Sequence, residues 1–367
     1  MLDNTSPRVV LHIGLHKTGT RYLQRRVLRP LDGERFQVNP SPLWPAIRNA
    51  VRHPDDAATS AIARDAVQAW RDSGDPRTLV LSEPHISGDM YGNHHDHAAN
   101  TRLMHELFPE ARIIYFVRNQ ADWLQSAYRQ QLVKGASVPV HVFLNHYDGE
   151  FRPRLDRWTY GARTVEPLNQ RFLEIYEGYA ETFGPEAVYL FRQEDLKTRP
   201  KQVRARLAAA LGIADLPVDT GGKSENRSYS ALAIRLFHPG TNRTMPAPRP
   251  QDAGMPARRL RPVLAPFIRL RRLLIQHGFD RLIYRDWDLL AHADMRTRID
   301  AHFAAENERI RAIAANVLDH GPHAPSQRTA RTAMETPARA DESEHATPVQ
   351  AQSGARWRHG YGGYGMS

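Results

Sequence analysis

The chain has 367 residues, of which 41% are hydrophobic and 25% charged; this is typical of folded globular proteins and excludes a wholly disordered chain. It contains no cysteine, which excludes a disulfide scaffold, a thiolate metal site and a cysteine nucleophile, and fits a reducing cytoplasm. Fifty Lys and Arg against forty Asp and Glu give a formal net charge of +10, which favours an anionic ligand, nucleic acid or a membrane surface as partner.

Targeting and membrane segments are not evident in the sequence. No apolar stretch approaches the roughly 18 residues that a membrane-spanning helix needs. Residues 1–8 lack a basic region followed by an apolar one, so we expect no secretory signal and a cytoplasmic protein.

Four short apolar runs predict buried strands. They cover residues 9–13, 78–82, 111–117 and 187–191. Helical patterns between them cover residues 57–70, with Ile62, Ala66 and Trp70 as the apolar stripe, and residues 168–183, with Phe172, Ile175 and Tyr179. This alternation predicts a three-layer, P-loop-like α/β fold, in which helices flank a central parallel sheet. Ligands of such sheets bind beyond the carboxyl ends of the strands.

The sequence changes character after residue 243. Six prolines within residues 244–266 predict an irregular excursion over 243–266 that contains no helix. Ten arginines and two aspartates give residues 243–285 a local charge of +8. We predict a short basic amphipathic helix over 267–275 and one long helix over about 289–318. We expect one domain over residues 1–320 and a disordered tail over 321–367, which has almost no aliphatic residues.

A glycine-bearing turn follows the first strand and leads into a helix. The turn contains Gly14, Lys17, Thr18, Gly19 and Thr20. A strand, a turn and a helix N-terminus gather backbone N–H groups around one point, which favours phosphate. The order differs from a Walker A loop, because the lysine precedes the second glycine instead of following it. The alternative interpretation is a lysine-bearing turn without a ligand.

A second candidate anion site follows the third strand. Arg118 stands at the carboxyl end of that strand, and Ser126 follows eight residues later in the next helix. The two side chains can converge on one anionic group. Taken singly, each is more typical of a surface residue or a helix-dipole partner.

Together, Gly-x-x-Lys-Thr-Gly-Thr after the first strand and Arg-Asn-x-x-Asp-x-x-x-Ser-x-Tyr-x-Gln after the third resemble the PAPS-dependent sulfotransferases, where PAPS is 3′-phosphoadenosine 5′-phosphosulfate. Residues similar to bacterial members occur at 180–184, 192–196, 226–230 and 303–309. Arg21 stands where many members have threonine, which resembles the glycan-modifying branch, and Gln120 replaces a usual proline. The resemblance spans about residues 9–320 and implies sulfuryl transfer from PAPS to an acceptor hydroxyl, with release of PAP.

The resemblance also implies the roles of individual residues. The residues implied to bind PAPS are His16, Lys17, Thr18, Gly19, Thr20 and Arg21 in the loop and Arg118 and Ser126 at the 3′-phosphate. Lys17 is the candidate for stabilising charge on the leaving phosphate, and no metal is required. As the base we favour Glu83, directly after the second strand, with His85 as second choice. The alternative for either is a loop residue paired with an arginine.

Other classes of protein remain open at this point. The rival enzyme is a P-loop kinase that uses ATP and Mg²⁺, and the rival non-enzyme is a nucleotide- or membrane-binding module without turnover. The acceptor can be a glycan, a lipid or a small metabolite. The histidines within residues 94–97 offer metal ligands, but a short cluster without a distant partner does not favour a metal. Residues 243–285 are expected to face an acidic acceptor or the inner membrane surface and not nucleic acid.

Overall fold

A sheet of five parallel strands forms the centre of the protein, whose computed structural model describes residues 8–216, 228–254, 261–291 and 294–321. Its strands are β1 (Val9–Gly14), β2 (Phe36–Val38), β3 (Thr78–Ser82), β4 (Arg112–Val117) and β5 (Val188–Arg192). Their spatial order is β2-β3-β1-β4-β5. The predicted parallel α/β sheet is confirmed. Strand β2 was not predicted, because its three residues, Phe-Gln-Val, are too few to form an apolar run.

Some predicted segments lie outside the described residues. These are the tail beyond Gly321, residues 255–260 of the excursion, and Asn226 and Arg227 of one sulfotransferase-like segment. The described residues all belong to one unit, Met1–Ala324. The end of the domain at residue 320 stays a prediction.

Helices follow the strands in chain order. The longer ones are α1 (Thr20–Tyr22, continuing as a π-helical segment, Leu23–Leu28), α2 (Leu43–Arg52), α3 (Ala57–Asp72), α4 (His97–Leu107), α5 (Gln120–Val133), α6 (Phe172–Phe183), α7 (Pro200–Leu211), α8 (Ala231–Phe237), α9 (Arg261–Leu273, followed by the π-helical Leu274–Phe279), α10 (Met295–His302) and α11 (Ala304–His320). Short helical turns cover Arg29–Leu31, Pro84–Ser87, Val140–Phe143, Pro185–Ala187, Asp195–Thr198, Pro239–Asn242, Pro250–Asp252 and Asp280–Leu282. Two small hairpins pair His146–Tyr147 with Glu150–Phe151 and Trp158–Thr159 with Ala162–Arg163.

Both faces of the sheet are covered by helices. Along β1, Leu11 and Ile13 belong to the buried cluster that α2–α6 share, whereas Val10 belongs to the cluster on the opposite face, with α1 and α7. Alternation of side chains along each strand sends neighbouring residues to opposite faces, and here both faces are apolar. The predicted three-layer arrangement is therefore confirmed.

Two predicted helices differ from those observed. The helix predicted over 57–70 exists as α3, and Ala66 and Trp70 of its predicted stripe pack against the core. The stripe was wrong at Ile62, which is exposed, whereas Ala63 and Val67 are buried. The buried side includes small and polar residues, which a stripe of large apolar residues does not represent. The single helix predicted over 289–318 is two helices, α10 and α11, because the backbone leaves helical geometry at Phe303 (φ −97°, ψ 11°).

The prediction that the excursion over 243–266 contains no helix is wrong at its end. A 3₁₀ turn covers Pro250–Asp252, and α9 begins at Arg261. Pro262 is compatible with this start because the first N–H groups of a helix have no partner within it. Pro266 lies inside the helix and removes one hydrogen bond. The basic helix predicted over 267–275 is therefore longer at both ends.

Candidate active site

Three loops leave the carboxyl edge of the sheet side by side. The central strand β1 leads to the loop of residues 14–19, its neighbour β3 leads to Glu83, and its other neighbour β4 leads to Arg118. Backbone hydrogen bonds fix these exits: Glu83 N donates to His12 O (3.1 Å), and Leu15 N donates to Phe116 O (2.8 Å). The topology therefore places the predicted loop, base and second anion site at one edge.

The loop after β1 has backbone conformations that its sequence explains. Gly14 has φ +107°, and a Cβ atom there would lie 3.1 Å from Cα of Pro84, which follows Glu83. Glycine thus lets the end of β1 approach the segment that carries the candidate base. Lys17 also has a positive φ, +68°, which is uncommon for a residue with a side chain and occurs often at functional sites.

Hydrogen bonds from within the loop and from α5 hold its shape. The hydroxyls of Thr18 and Thr20 both donate to Leu15 O, at 2.7 and 3.0 Å. Trp123 Nε1 donates to His16 O at 2.7 Å, which fastens the loop to α5. The loop is therefore held both by its own side chains and by Trp123.

Lys17 lies in a strongly positive environment. Its Nζ donates to Gln130 Oε1 at 2.9 Å. Burial, together with the charges of Arg21, Lys134 and Arg118, lowers the pKa of Lys17 to about 8. These three charges are positive like that of Lys17, so an anion bound here would relieve their mutual repulsion.

Arg118 directly follows β4, and Ser126 lies within α5. Burial lowers the pKa of Arg118 against the opposing effect of Asp122 and Glu194. Among the described residues, Arg118 makes no hydrogen bond, so its guanidinium donors are available to a ligand. Ser126 is half-buried about two turns further along α5, and no hydrogen bond joins it to Arg118.

The two candidate bases are hydrogen-bonded to each other. Glu83 is buried, with 3% of its surface exposed, and its Oε1 lies 2.6 Å from His85 Nδ1. Its other oxygen, Oε2, lies 3.4 Å from Nε of Arg48. The side chain of His85 is more open, with 27% exposed. The structure therefore brings both candidates together and places an arginine beside the carboxylate.

His16 connects the loop with this pair. Its ring stands edge-on to that of His85, with centroids 4.6 Å apart and planes at 85°. Burial holds the pKa of His16 well below its usual range, and the nearby His85 and His94 lower it further. His16 Nδ1 is buried and has no hydrogen-bond partner in the described parts of the chain. A polar atom without a partner at this place is available for a ligand.

A buried polar network surrounds Ser82, the residue that precedes Glu83. His12 Nδ1 lies 2.7 Å from Ser82 Oγ, and Gln24 Nε2 donates to Ser82 O at 3.0 Å. Ser82 N donates to Asn39 Oδ1 at 2.7 Å. Burial lowers the pKa of His12 to about 3, so the ring is neutral at physiological pH. The sequence signal for this network was a histidine in an otherwise apolar strand.

Three residues that contact the candidate site residues were not predicted from the sequence. Gln130 holds Lys17, Trp123 holds His16, and Arg48 faces Glu83. Gln130 closes the motif quoted after the third strand, so a signal for it existed. Arg48 lies on α2, outside every motif, and only the folded arrangement reveals it.

Two histidines of the segment over residues 94–97 contact neighbouring side chains of the fold. Burial lowers the pKa of His94 to about 3, and its ring packs on Trp123 and Phe172 at 5.6 and 5.9 Å. His97 Nε2 lies 3.2 Å from Glu174 Oε1. Within the described ranges, no group of three or more His, Cys, Asp or Glu side chains is arranged to hold a metal ion.

Comparison with known proteins decides the family. A family model described as "Sulfotransferase family" matches residues 10–217, which is more than half of the chain. The chain belongs to the sulfotransferase family. This membership supports a transferase that moves sulfuryl groups, as the motifs after β1 and β4 predicted.

Two solved structures are similar to this sulfotransferase at low identity. A sulfotransferase from Alicyclobacillus acidocaldarius is 17% identical, with 77% of this chain and 97% of that chain covered and a TM-score of 0.40. A sulfotransferase domain from the curacin biosynthetic pathway is 16% identical, with 59% and 78% covered and a TM-score of 0.31. No curated protein sequence matches. The family assignment rests on the family model.

Proposed function

We propose that this sulfotransferase transfers a sulfuryl group from PAPS to an acceptor hydroxyl and releases PAP. The observation that supports the proposal most is the positive environment of Lys17, where Arg21, Lys134 and Arg118 all lower its pKa. Cations that repel one another at the edge of a sheet fit a ligand with several negative charges. PAPS is such a ligand.

The proposed donor site has two parts. The loop residues His16 to Arg21 would hold the phosphosulfate, and Arg118 with Ser126 would hold the 3′-phosphate. PAPS supplies a sulfuryl group whose transfer leaves negative charge on the 5′-phosphate. Lys17 is the side chain that we assign to this charge, and its hydrogen bond to Gln130 orients the ammonium group. No metal is needed for this assignment.

We assign proton removal from the acceptor to Glu83. The carboxylate is buried, which strengthens its interaction with a hydroxyl donor, and Arg48 and His85 fix its orientation. His85 remains the second choice. Its Nδ1 is engaged with Glu83, and its partly exposed ring has a second nitrogen through which it could act as a base that Glu83 orients.

The test is detection of a sulfated product. The purified protein is incubated with PAPS and a bacterial lipid and glycan extract, and mass spectrometry compares treated with untreated extracts. We expect new species heavier by one sulfate group, and their loss in Lys17→Ala at an unchanged melting temperature. A stronger affinity for ATP than for PAP would favour the P-loop kinase instead. Failure to modify any extract, with PAP binding intact, would favour a binding module.

A further inference from the structure

We infer that residues 267–287, with the end of α8, form a docking face for a membrane surface that carries anionic lipids. The centre of this basic apolar face consists of six exposed side chains, Phe267, Leu270, Leu273, Leu274, Leu282 and Ile283. Soluble proteins seldom expose so many large apolar side chains together, and such patches mark interaction sites. Three properties of the face indicate its partner: its geometry, its charge and its aromatic residues.

The geometry of α9 is that of a helix with two apolar sides. Ile275, in the segment that continues it, is buried, and Ile268 lies against Gly135, whose Cβ position would be 2.7 Å from Ile268 Cδ1. Phe267, Leu270 and Leu273 recur every three residues, and 67%, 55% and 54% of their respective surfaces are exposed. A helix packed on a protein normally turns its apolar stripe toward the core. Here a second apolar stripe faces outward.

The charge of the face is positive. Arg235, Arg269, Arg281 and Arg285 are exposed, and none of them forms an ion pair with a carboxylate of the described residues. Within residues 267–287 the acidic residues are Asp280, which is buried and accepts hydrogen bonds from Ser230, and Asp286, which is paired with Arg129. Apolar side chains flanked by arginines are the pattern of helices that lie on anionic membranes. A second copy of the chain fits less well, because two-fold pairing would oppose like charges.

Aromatic residues close the face at one end. Trp287 and Tyr284 are 43% and 41% exposed, and Phe237 of α8 packs edge-on against Phe279 at 5.1 Å. Trp and Tyr concentrate at membrane–water interfaces, where an apolar ring and a polar group are both accommodated.

The face adjoins the candidate active site. Gly135, against which Ile268 lies, follows Lys134, whose charge lowers the pKa of Lys17. Docking would therefore bring the candidate active site close to the membrane. That consequence for the acceptor rests on the proposed function, whereas docking itself does not.

Sedimentation with vesicles tests the inference on the full chain. We compare vesicles of phosphatidylcholine with vesicles that also contain phosphatidylglycerol. We expect binding to the anionic vesicles, weaker binding to the neutral ones, and release by salt. Leu270→Ser combined with Leu273→Ser should lower the partition coefficient at least about tenfold. Arg269→Gln combined with Arg281→Gln should lower it about fivefold per arginine.

The matched control carries the same change on another surface. Ile62→Ser combined with Leu155→Ser replaces residues that are 56% and 54% exposed, and should sediment like the unmodified protein. Equal binding to both vesicles, no binding to either, or an equal loss in the control would overturn the inference. A dimer seen by light scattering would also overturn the inference if Leu270→Ser with Leu273→Ser dissociated it, because the face would then bind a second copy. PAP binding, measured in the same variants, separates a failure of docking from a failure of the proposed function.

Discussion

Glu83 Oε1 lies 2.6 Å from His85 Nδ1, while Oε2 of the same carboxylate lies 3.4 Å from Arg48 Nε. The carboxylate of Glu83, itself a candidate base, thus contacts both the other candidate base and a cation on α2. The pair stands beside the loop after β1, because the ring of His16 contacts that of His85. Proton removal and anion binding are therefore assigned to neighbouring groups that are held by different strands.

Replacement of the carboxylate should stop proton removal and spare donor binding. We expect Glu83→Gln to lower kcat by about 10²–10⁴ with PAP affinity unchanged, because the proposed donor contacts come from the β1 loop and α5. Turnover with an acceptor from the extract, together with PAP titration, measures both. Near-normal turnover in Glu83→Gln, with loss in His85→Ala, would assign the base to His85.

The affinity for PAP should fall at alkaline pH. The pKa of Lys17 is about 8, so the free protein loses this charge above that pH. A bound anion favours the protonated lysine, and PAP affinity should drop by up to about tenfold per pH unit above pH 8. Calorimetric titration between pH 7 and pH 10 measures this. Lys17→Arg keeps its charge and should give a flatter profile; an identical fall in that variant would assign the titration to another group.

The partner of Lys17 offers an isosteric test. Gln130→Glu places a carboxylate where the amide now accepts from Nζ at 2.9 Å. The new ion pair would raise the pKa of Lys17 and compete with the ligand, so we expect PAP to bind roughly tenfold more weakly and its alkaline fall to move to higher pH. Gln125→Glu, on the same helix and directed toward Asp288, is the control for added negative charge. An unchanged affinity in Gln130→Glu argues against anion binding at Lys17.

The fold should lose stability in mild acid. Burial lowers the pKa of His12 and His94 to about 3 and that of His238 to about 4. The unfolded chain takes up these protons near pH 6.5 and the folded chain does not, so the free energy of unfolding falls as pH drops from 6.5 toward 4. Each fully buried histidine contributes up to about 1.4 kcal/mol per pH unit. Urea unfolding at several pH values measures the slope, and His94→Phe should reduce it by one such contribution.

A side chain at Gly14 should disturb both the fold and the site. A side chain is strained at its φ of +107°, and a Cβ 3.1 Å from Pro84 would force the two segments slightly apart. We expect Gly14→Ala to lower the free energy of unfolding by roughly 1–3 kcal/mol and to reduce turnover, because Glu83 adjoins Pro84. Gly178→Ala on α6 is the control: no atom lies within 4 Å of its Cβ position, and helical alanine should not destabilise. Equal melting temperatures for both variants would contradict this account of Gly14.

The sequence predicted the parts of the fold that short-range pattern determines. The apolar runs of β1, β3, β4 and β5 identified the sheet, and the motifs after β1 and β4 lie at one edge of it, where the candidate site is. The prediction of one continuous helix over 289–318 was wrong, because the apolar spacing continues through Phe303, where the backbone leaves helical geometry. The apolar spacing alone does not reveal a break in the helix at one residue.

Contacts between distant segments were beyond prediction. Arg48 reaches Glu83 only because α2 packs beside the end of β3, and no local spacing signals that approach. The outward apolar stripe of α9 was equally hidden: the sequence showed an amphipathic helix but not which side the protein would cover.

The most direct test of the proposed donor is the difference in affinity between PAP and AMP, measured by calorimetry in the unmodified protein and in Arg118→Ala. The two nucleotides differ by the 3′-phosphate, which we assign to Arg118 and Ser126. We predict that PAP binds at least about tenfold more tightly than AMP, and that Arg118→Ala removes most of this difference while AMP binding persists. Equal affinities in the unmodified protein, or an undiminished preference for PAP in Arg118→Ala, would contradict the account.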